Sequence, residues 1–275
     1  MLPGVTYGYG RFRFATIVLR CGPAGRPHVV QRCAQRRGRH PGQRGESVFR
    51  LLHHLTIVIF VMSIIFPRVV AADPNAPIQV GDYQGVIRLA CVGDSITAGV
   101  GAGGNSYPKQ LAALLGDKWE VGNFGNSGST LLNQGDKPYQ RQRTFTAALR
   151  FEPQVVVIML GTNDTKPQNW KFKGRFTRDY HDLLGKFAKL PTKPRIFICY
   201  PVPVPGKGNF GINELGVKEQ RPLITRIAKE AQVGVIDMYA ALIDHPETLP
   251  DRVHPNARGA GLMARAAWRV LTGEK

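Results

Sequence analysis

Cysteine is scarce in this chain, with four among 275 residues. Cys21 and Cys33 lie in the first 47 residues, while Cys91 and Cys199 each sit inside an apolar run. The latter two read as buried free thiols, not as a disulfide. Acidic residues are also few, 19 against 37 Lys and Arg, for a formal charge of +18. No nucleic-acid motif accompanies that charge, and it is not concentrated where a nucleic acid would need it. Residues 1–72 hold 11 Arg, no Lys and one acid, and the other 26 basic residues are scattered among 18 acids. The excess therefore reads as a solvated surface, which argues against nucleic acid as the main partner. Long apolar runs are missing as well. The longest, Leu55 to Phe66, stops at Pro67 and Arg68 and is short for a membrane span.

Residues 1–47 are rich in Arg, Gly and Pro and follow neither a helical nor an alternating pattern, so no packed fold is expected there. A basic arm or a transit peptide would fit, but translated sequence upstream of the true start fits better. The reason is that residues 48–72 form a complete secretory signal. Arg50, His53 and His54 open it, the apolar run follows, and Val70-Ala71-Ala72 supplies a small-residue cleavage site. An uncleaved anchor is the rival reading, and no cysteine follows the run that could carry a lipid. Under either reading the remainder, residues 73–275, works outside the cytoplasm, exported to the periplasm or beyond. Cleavage would leave it without a stable membrane partner.

That remainder alternates strand and helix. Short apolar strands are predicted over 86–92, 119–124, 155–160, 195–200 and 233–237, and helices over 108–115, 145–151, 176–189, 214–231 and 257–271. Five such strands with helices between them predict an α/β fold, a five-stranded parallel sheet covered on both faces. Ligands bind beyond the carboxyl ends of such a sheet. Those ends carry the polar segments of the chain. The first strand runs into Gly93-Asp94-Ser95, the second into Gly125-Asn126-Ser127-Gly128-Ser129-Thr130, and the third into Gly161-Thr162-Asn163-Asp164. A connector after the fifth leads to Asp251-Arg252-Val253-His254-Pro255.

Each segment taken alone has a bland explanation. Gly-Asp-Ser makes ordinary turns and helix caps, and an Asp three residues before a His fits a cap beside a surface histidine. Asp251 and His254 could also be two metal ligands, but no further His or Cys cluster completes such a site. Together, the four ordered blocks GDSIT, NSGST, GTND and DRVHP resemble those of the SGNH hydrolases, the GDSL esterase superfamily. The resemblance covers about residues 86–271. Residues 135–139, GDKPY, and 161–170, GTNDTKPQNW, most resemble exported bacterial carbohydrate or sialate O-acetylesterases.

A serine hydroxyl needs a base to become a nucleophile, and the base needs an orienting group. Ser95 is the candidate nucleophile, His254 the base and Asp251 the orienter. Spacing alone leaves open whether Asp251 touches His254. The resemblance implies a flavodoxin-like three-layer α/β/α fold and no cofactor or metal. It also implies an oxyanion hole made by the backbone amides of Ser95 and Gly128 and the side-chain amide of Asn163. Asp94, Tyr139 and Trp170, with Lys137 and Lys166, are candidate substrate contacts at the loop rim, where a sugar could stack on an aromatic face. Ordinary loop packing of Trp and Tyr competes with that reading.

Two decoys can be set aside. Residues 99–104 satisfy GxGxxG, with Glu120 as a candidate ribose acid. However, Asp94 to Ala98 separate these glycines from the strand they should follow directly, so they read as a flexible border of the site. Residues 125–129, GNSGS, approach the GxSxG elbow but end in Ser129. No long apolar insertion suggests a fatty-acyl tunnel, so the predicted substrate is a short acyl ester, acetyl above all, on a small molecule or polysaccharide. A lipolytic or lysophospholipase-type esterase with the same triad is the nearest rival. A carbohydrate-binding module without turnover and a dinucleotide-dependent oxidoreductase stand further off.

Overall fold

The computed structural model describes residues 73–274. The predicted extension at 1–47 and the predicted signal at 48–72 lie outside the described residues. The strands are β1 (Ile87–Gly93), β2 (Trp119–Gly125), β3 (Val155–Met159), β4 (Arg195–Tyr200) and β5 (Gly234–Asp237). They form one parallel sheet in the order β2-β1-β3-β4-β5. Every residue of β3 is buried, as expected for a Val/Ile run covered on both faces.

Helices follow the strands in chain order: α1 (Ser95–Ala98), α2 (Tyr107–Leu115), α3 (Arg143–Arg150), α4 (Pro167–Trp170), α5 (Phe176–Ala188), α6 (Glu214–Ala231), α7 (Met238–Leu242) and α8 (Ala257–Thr272). Alternate strand residues point to opposite faces and build two cores. Leu89, Cys91, Val155, Val157 and Phe197 pack against Tyr107 and Leu111 of α2 and Met263 and Ala267 of α8. Ala90, Val92, Val156, Ile158 and Ile198 pack against Phe145 of α3, Tyr180 and Leu183 of α5, and Ile224 and Ile227 of α6. This is the predicted α/β/α arrangement. Cys91 and Cys199 are buried and free, also as predicted, and burial pushes the Cys91 thiol up to about 12.

The central position of β1 sets the location of the site. The chain leaves β1 for β2 on one side and continues from β2 to β3 on the other. Loops from the two sides therefore part beyond the end of β1 and leave a crevice there. The short α1 turns across this end, so close to β2 that a side chain on Gly125 would lie 2.1 Å from the Ala98 amide nitrogen. The sequence did not predict α1, α4 or α7. Their four, four and five residues are too few to display a 3.6-residue period. Among the described residues, no helix is long and apolar enough to cross a membrane.

Candidate active site

Ser95 is the first residue of α1, directly beyond β1, and is 8% exposed. The Asp94 carboxylate caps this helix, its Oδ1 accepting from the Ile96 amide at 3.0 Å. On the far side of the crevice, Asp251 folds the turn that presents His254. Its Oδ1 accepts from the amides of Val253 at 3.0 Å and His254 at 2.7 Å, and its Oδ2 faces His254 Nδ1 at 2.7 Å. The contact that spacing left open is therefore direct. Because an ionised carboxylate only accepts, Nδ1 carries the proton, and Nε2 is left to accept from the Ser95 hydroxyl at 2.9 Å. The helix cap that follows belongs to Asn256, whose side chain accepts from the Gly259 amide at the start of α8.

Burial works to raise the pKa of Asp251. The bonds from the backbone and ring of His254 and from the Val253 amide outweigh it and hold the carboxyl below its usual range. The ionised state that orients the imidazole is thus favoured at neutral pH. The stability this contact gives is present above the ordinary carboxylate range and is lost as pH falls through the lowered value.

Gly128 and Asn163 line the same cleft as Ser95 and His254, together with Val100, Ser127, Lys166, Phe210 and Ile212, around a volume of about 270 Å³. Gly128 has φ +81°, a backbone that a side chain would strain. The backbone N–H groups of Ser95 and Gly128 donate to no protein acceptor among the described residues. Asn163 is held on three sides. Its Nδ2 donates to Asp94 Oδ2 and to the Ser129 carbonyl, both at 3.2 Å, and its carbonyl accepts from Asn169 Nδ2 at 2.9 Å.

The predicted substrate contacts fare differently. Tyr139 is fully buried, with its hydroxyl donating to the Phe124 carbonyl at 2.7 Å and its ring edge-on to Phe145, so it is a core residue and not a rim contact. Trp170 does not line the cleft. Its indole N–H donates to Glu219 Oε2 at 2.7 Å and its ring packs on Phe176. Asp94 is 1% exposed, and both its oxygens are occupied within the protein. Lys137 reaches the Ser127 carbonyl at 2.8 Å, and Lys166 does line the cleft. The glycine-rich stretch contributes Val100 to the cleft, and Gly101 lies so near His254 that a Cβ there would be 3.0 Å from the histidine's own.

Sequence reasoning missed Asp164, the group that fixes the Gly128 segment. Fully buried, it accepts from the Leu131 amide at 2.9 Å on one oxygen and the Leu132 amide at 2.8 Å on the other. Burial, ahead of these bonds and the repulsion of Asp94, raises its pKa to about 7, and burial likewise raises Asp94 to about 6. For acids with raised values, the stabilising contribution declines as pH rises from the ordinary carboxylate range through those values. Asp164→Ala leaves two buried amides without a partner, at a cost of about 1–3 kcal/mol for each. Chemical unfolding at about pH 5 and about pH 8 should therefore find the variant less stable than wild type, with the larger difference at the lower pH.

The sequence model of the GDSL-like lipase/acylhydrolase family matches residues 91–262, more than half of the chain. The chain belongs to this family. A relative, an acetylxylan esterase from Xylanibacter ruminicola, is 36% identical over 203 residues, with 66% of this chain and 42% of the relative covered. The chain thus spans less than half the length of that protein. Among solved structures, a carbohydrate acetylesterase family member from Sinorhizobium meliloti superposes with a TM-score of 0.58 at 24% identity, covering 69% of this chain and all of the other. An aryl esterase from M. smegmatis superposes with a TM-score of 0.53 at 21% identity, covering 67% of this chain and 97% of the other. At these identities the structures bear on the fold, which is the GDSL-type α/β sheet.

Proposed function

We propose that this GDSL-family chain is a serine esterase, acting outside the cytoplasm, that removes short acyl groups, acetyl above all, from a carbohydrate. The observation that carries the reading is the alignment of Ser95, His254 and Asp251 by hydrogen bonds of 2.9 and 2.7 Å. Ser95 Oγ attacks the ester carbonyl carbon while its proton passes to His254 Nε2. The carbonyl π electrons move onto oxygen, and this oxyanion is met by the amides of Ser95 and Gly128 and by Asn163 Nδ2. Asn163 gives up one of its long contacts, to Asp94 or to Ser129, to do so. When the tetrahedral centre collapses, the bond to the sugar oxygen breaks and that oxygen takes the proton from Nε2. Water then attacks the acyl-enzyme, giving its proton to the same nitrogen. The acid leaves, and Ser95 recovers its hydrogen.

The acyl preference is supported by the small cleft and by the acetylxylan esterase relative. The extracellular location rests on the signal pattern over residues 48–72. Initial rates on p-nitrophenyl acetate and p-nitrophenyl octanoate test the substrate class. Because each misfitted methylene in a pocket costs about tenfold or more, kcat/KM should favour acetate by at least about that factor. A preference for octanoate would transfer the reading to a lipolytic esterase with the same triad.

A further inference from the structure

With Tyr139 and Trp170 turned away from the cleft, the aromatic side chain beside the reacting atoms is one that neither composition nor spacing marked. Phe210 is 57% exposed and lines the cleft, its ring centroid 5.7 Å from that of His254 at an interplanar angle of 54°. Its backbone has φ +54°, a region that favours Gly or Asn and is an outlier for a bulky residue. Local hydrogen bonds hold this conformation. Asn209 accepts from the Phe210 amide through Oδ1 and from the Ile212 amide through its carbonyl, both at 2.8 Å. Asn209 Nδ2 also donates to the Asp251 carbonyl at 3.2 Å, which ties the loop to the segment that carries the triad's acid and base.

Neither backbone preference nor core packing accounts for phenylalanine at this position. The conformation would suit a smaller residue, and a side chain more than half exposed gains little from burial. What the position does is present one apolar ring to solvent at the edge of the cleft, against the imidazole that must protonate the leaving group. The leaving group of a carbohydrate ester is a sugar, whose C–H face fits the electron-rich face of an aromatic ring.

We infer that Phe210 is a specificity-determining residue, a platform that stacks the sugar ring from which the acyl group is removed. This rests on the carbohydrate reading above and extends it by assigning the leaving-group side of the cleft. The ring is needed only where the ester carries a sugar. An ester whose leaving group is too small to reach it should lose less when the ring is removed.

The test compares wild type, Phe210→Ala and Phe210→Trp on acetylated xylo-oligosaccharides and on ethyl acetate, with released acid followed by titration. Phe210→Ala should raise KM for the oligosaccharides about tenfold, the size of one lost aromatic contact, and its loss in kcat/KM should be at least about fivefold greater on the oligosaccharides than on ethyl acetate. Phe210→Trp should restore the oligosaccharide KM. Equal losses on both esters would mean that the ring merely supports His254, and an unchanged oligosaccharide KM would mean that it meets no sugar. Either result overturns the inference and leaves the carbohydrate reading intact. A wild type that hydrolyses ethyl acetate but no acetylated oligosaccharide defeats both.

Discussion

Ser95→Ala should lower kcat on p-nitrophenyl acetate by several orders of magnitude, on the order of a millionfold, without changing the fold. Ser95 lies at the end of β1 with its Oγ facing the only ring nitrogen of His254 left free to accept. Removing that oxygen leaves the imidazole nothing to activate but water. The scaffold should tolerate the change, because the helix cap of α1 comes from Asp94 and not from Ser95. His254→Ala should cost about as much, and the double variant no more than either single one, since in the proposed mechanism nucleophile and base act as a unit. Steady-state and single-turnover rates on the three variants check this. If the double variant lost activity multiplicatively, the two residues would be acting in separate steps.

The second large effect concerns Asp251. Asp251→Asn should reduce kcat by roughly ten-thousandfold at neutral pH while the protein stays folded. The amide oxygen can keep accepting from the backbone amides of Val253 and His254, so the turn is preserved. The amide nitrogen then occupies the place of Oδ2 and points a donor at His254 Nδ1. The imidazole can answer only by moving its proton to Nε2, which directs an N–H at Ser95 where a lone pair is needed. Circular dichroism should be unchanged while turnover collapses. A loss below about tenfold would reduce Asp251 to a structural turn residue.

The chain displays most of this design openly. Strands such as Val155–Met159 are unbroken Val/Ile runs between polar segments, and their observed ends lie within a residue of those expected. The first three polar blocks announced the rim because each sits where an apolar run stops, and the fourth follows the connector after the fifth strand. The misread or missed residues around the site share one cause, which is contact across distance in the sequence. Tyr139 and Trp170 lie among polar neighbours and read as rim residues. Their fate is decided by Phe124, Glu219 and Phe176, which no local pattern connects to them. Asp164 stood only as the last residue of the polar segment after the third strand, yet its partners Leu131 and Leu132 are more than thirty residues earlier. Phe210 drew no reading between the predicted strand over 195–200 and the predicted helix over 214–231, and only the fold brings it to His254.

Two buried acids tie together the segments around the cleft. Asp94 caps the helix that carries Ser95 and holds Asn163, while Asp164 pins the segment following Gly128. The three proposed oxyanion donors are thereby fixed before any substrate arrives. Preorganised donors act more strongly than groups that must reorient as charge develops.

The most direct measurement is covalent labelling with a fluorophosphonate, followed by peptide mass spectrometry. A single adduct is expected on the peptide containing Ser95, absent from Ser95→Ala and strongly slowed in His254→Ala. An adduct on another residue, or full esterase turnover by a protein whose Ser95 stays unlabelled, would contradict it.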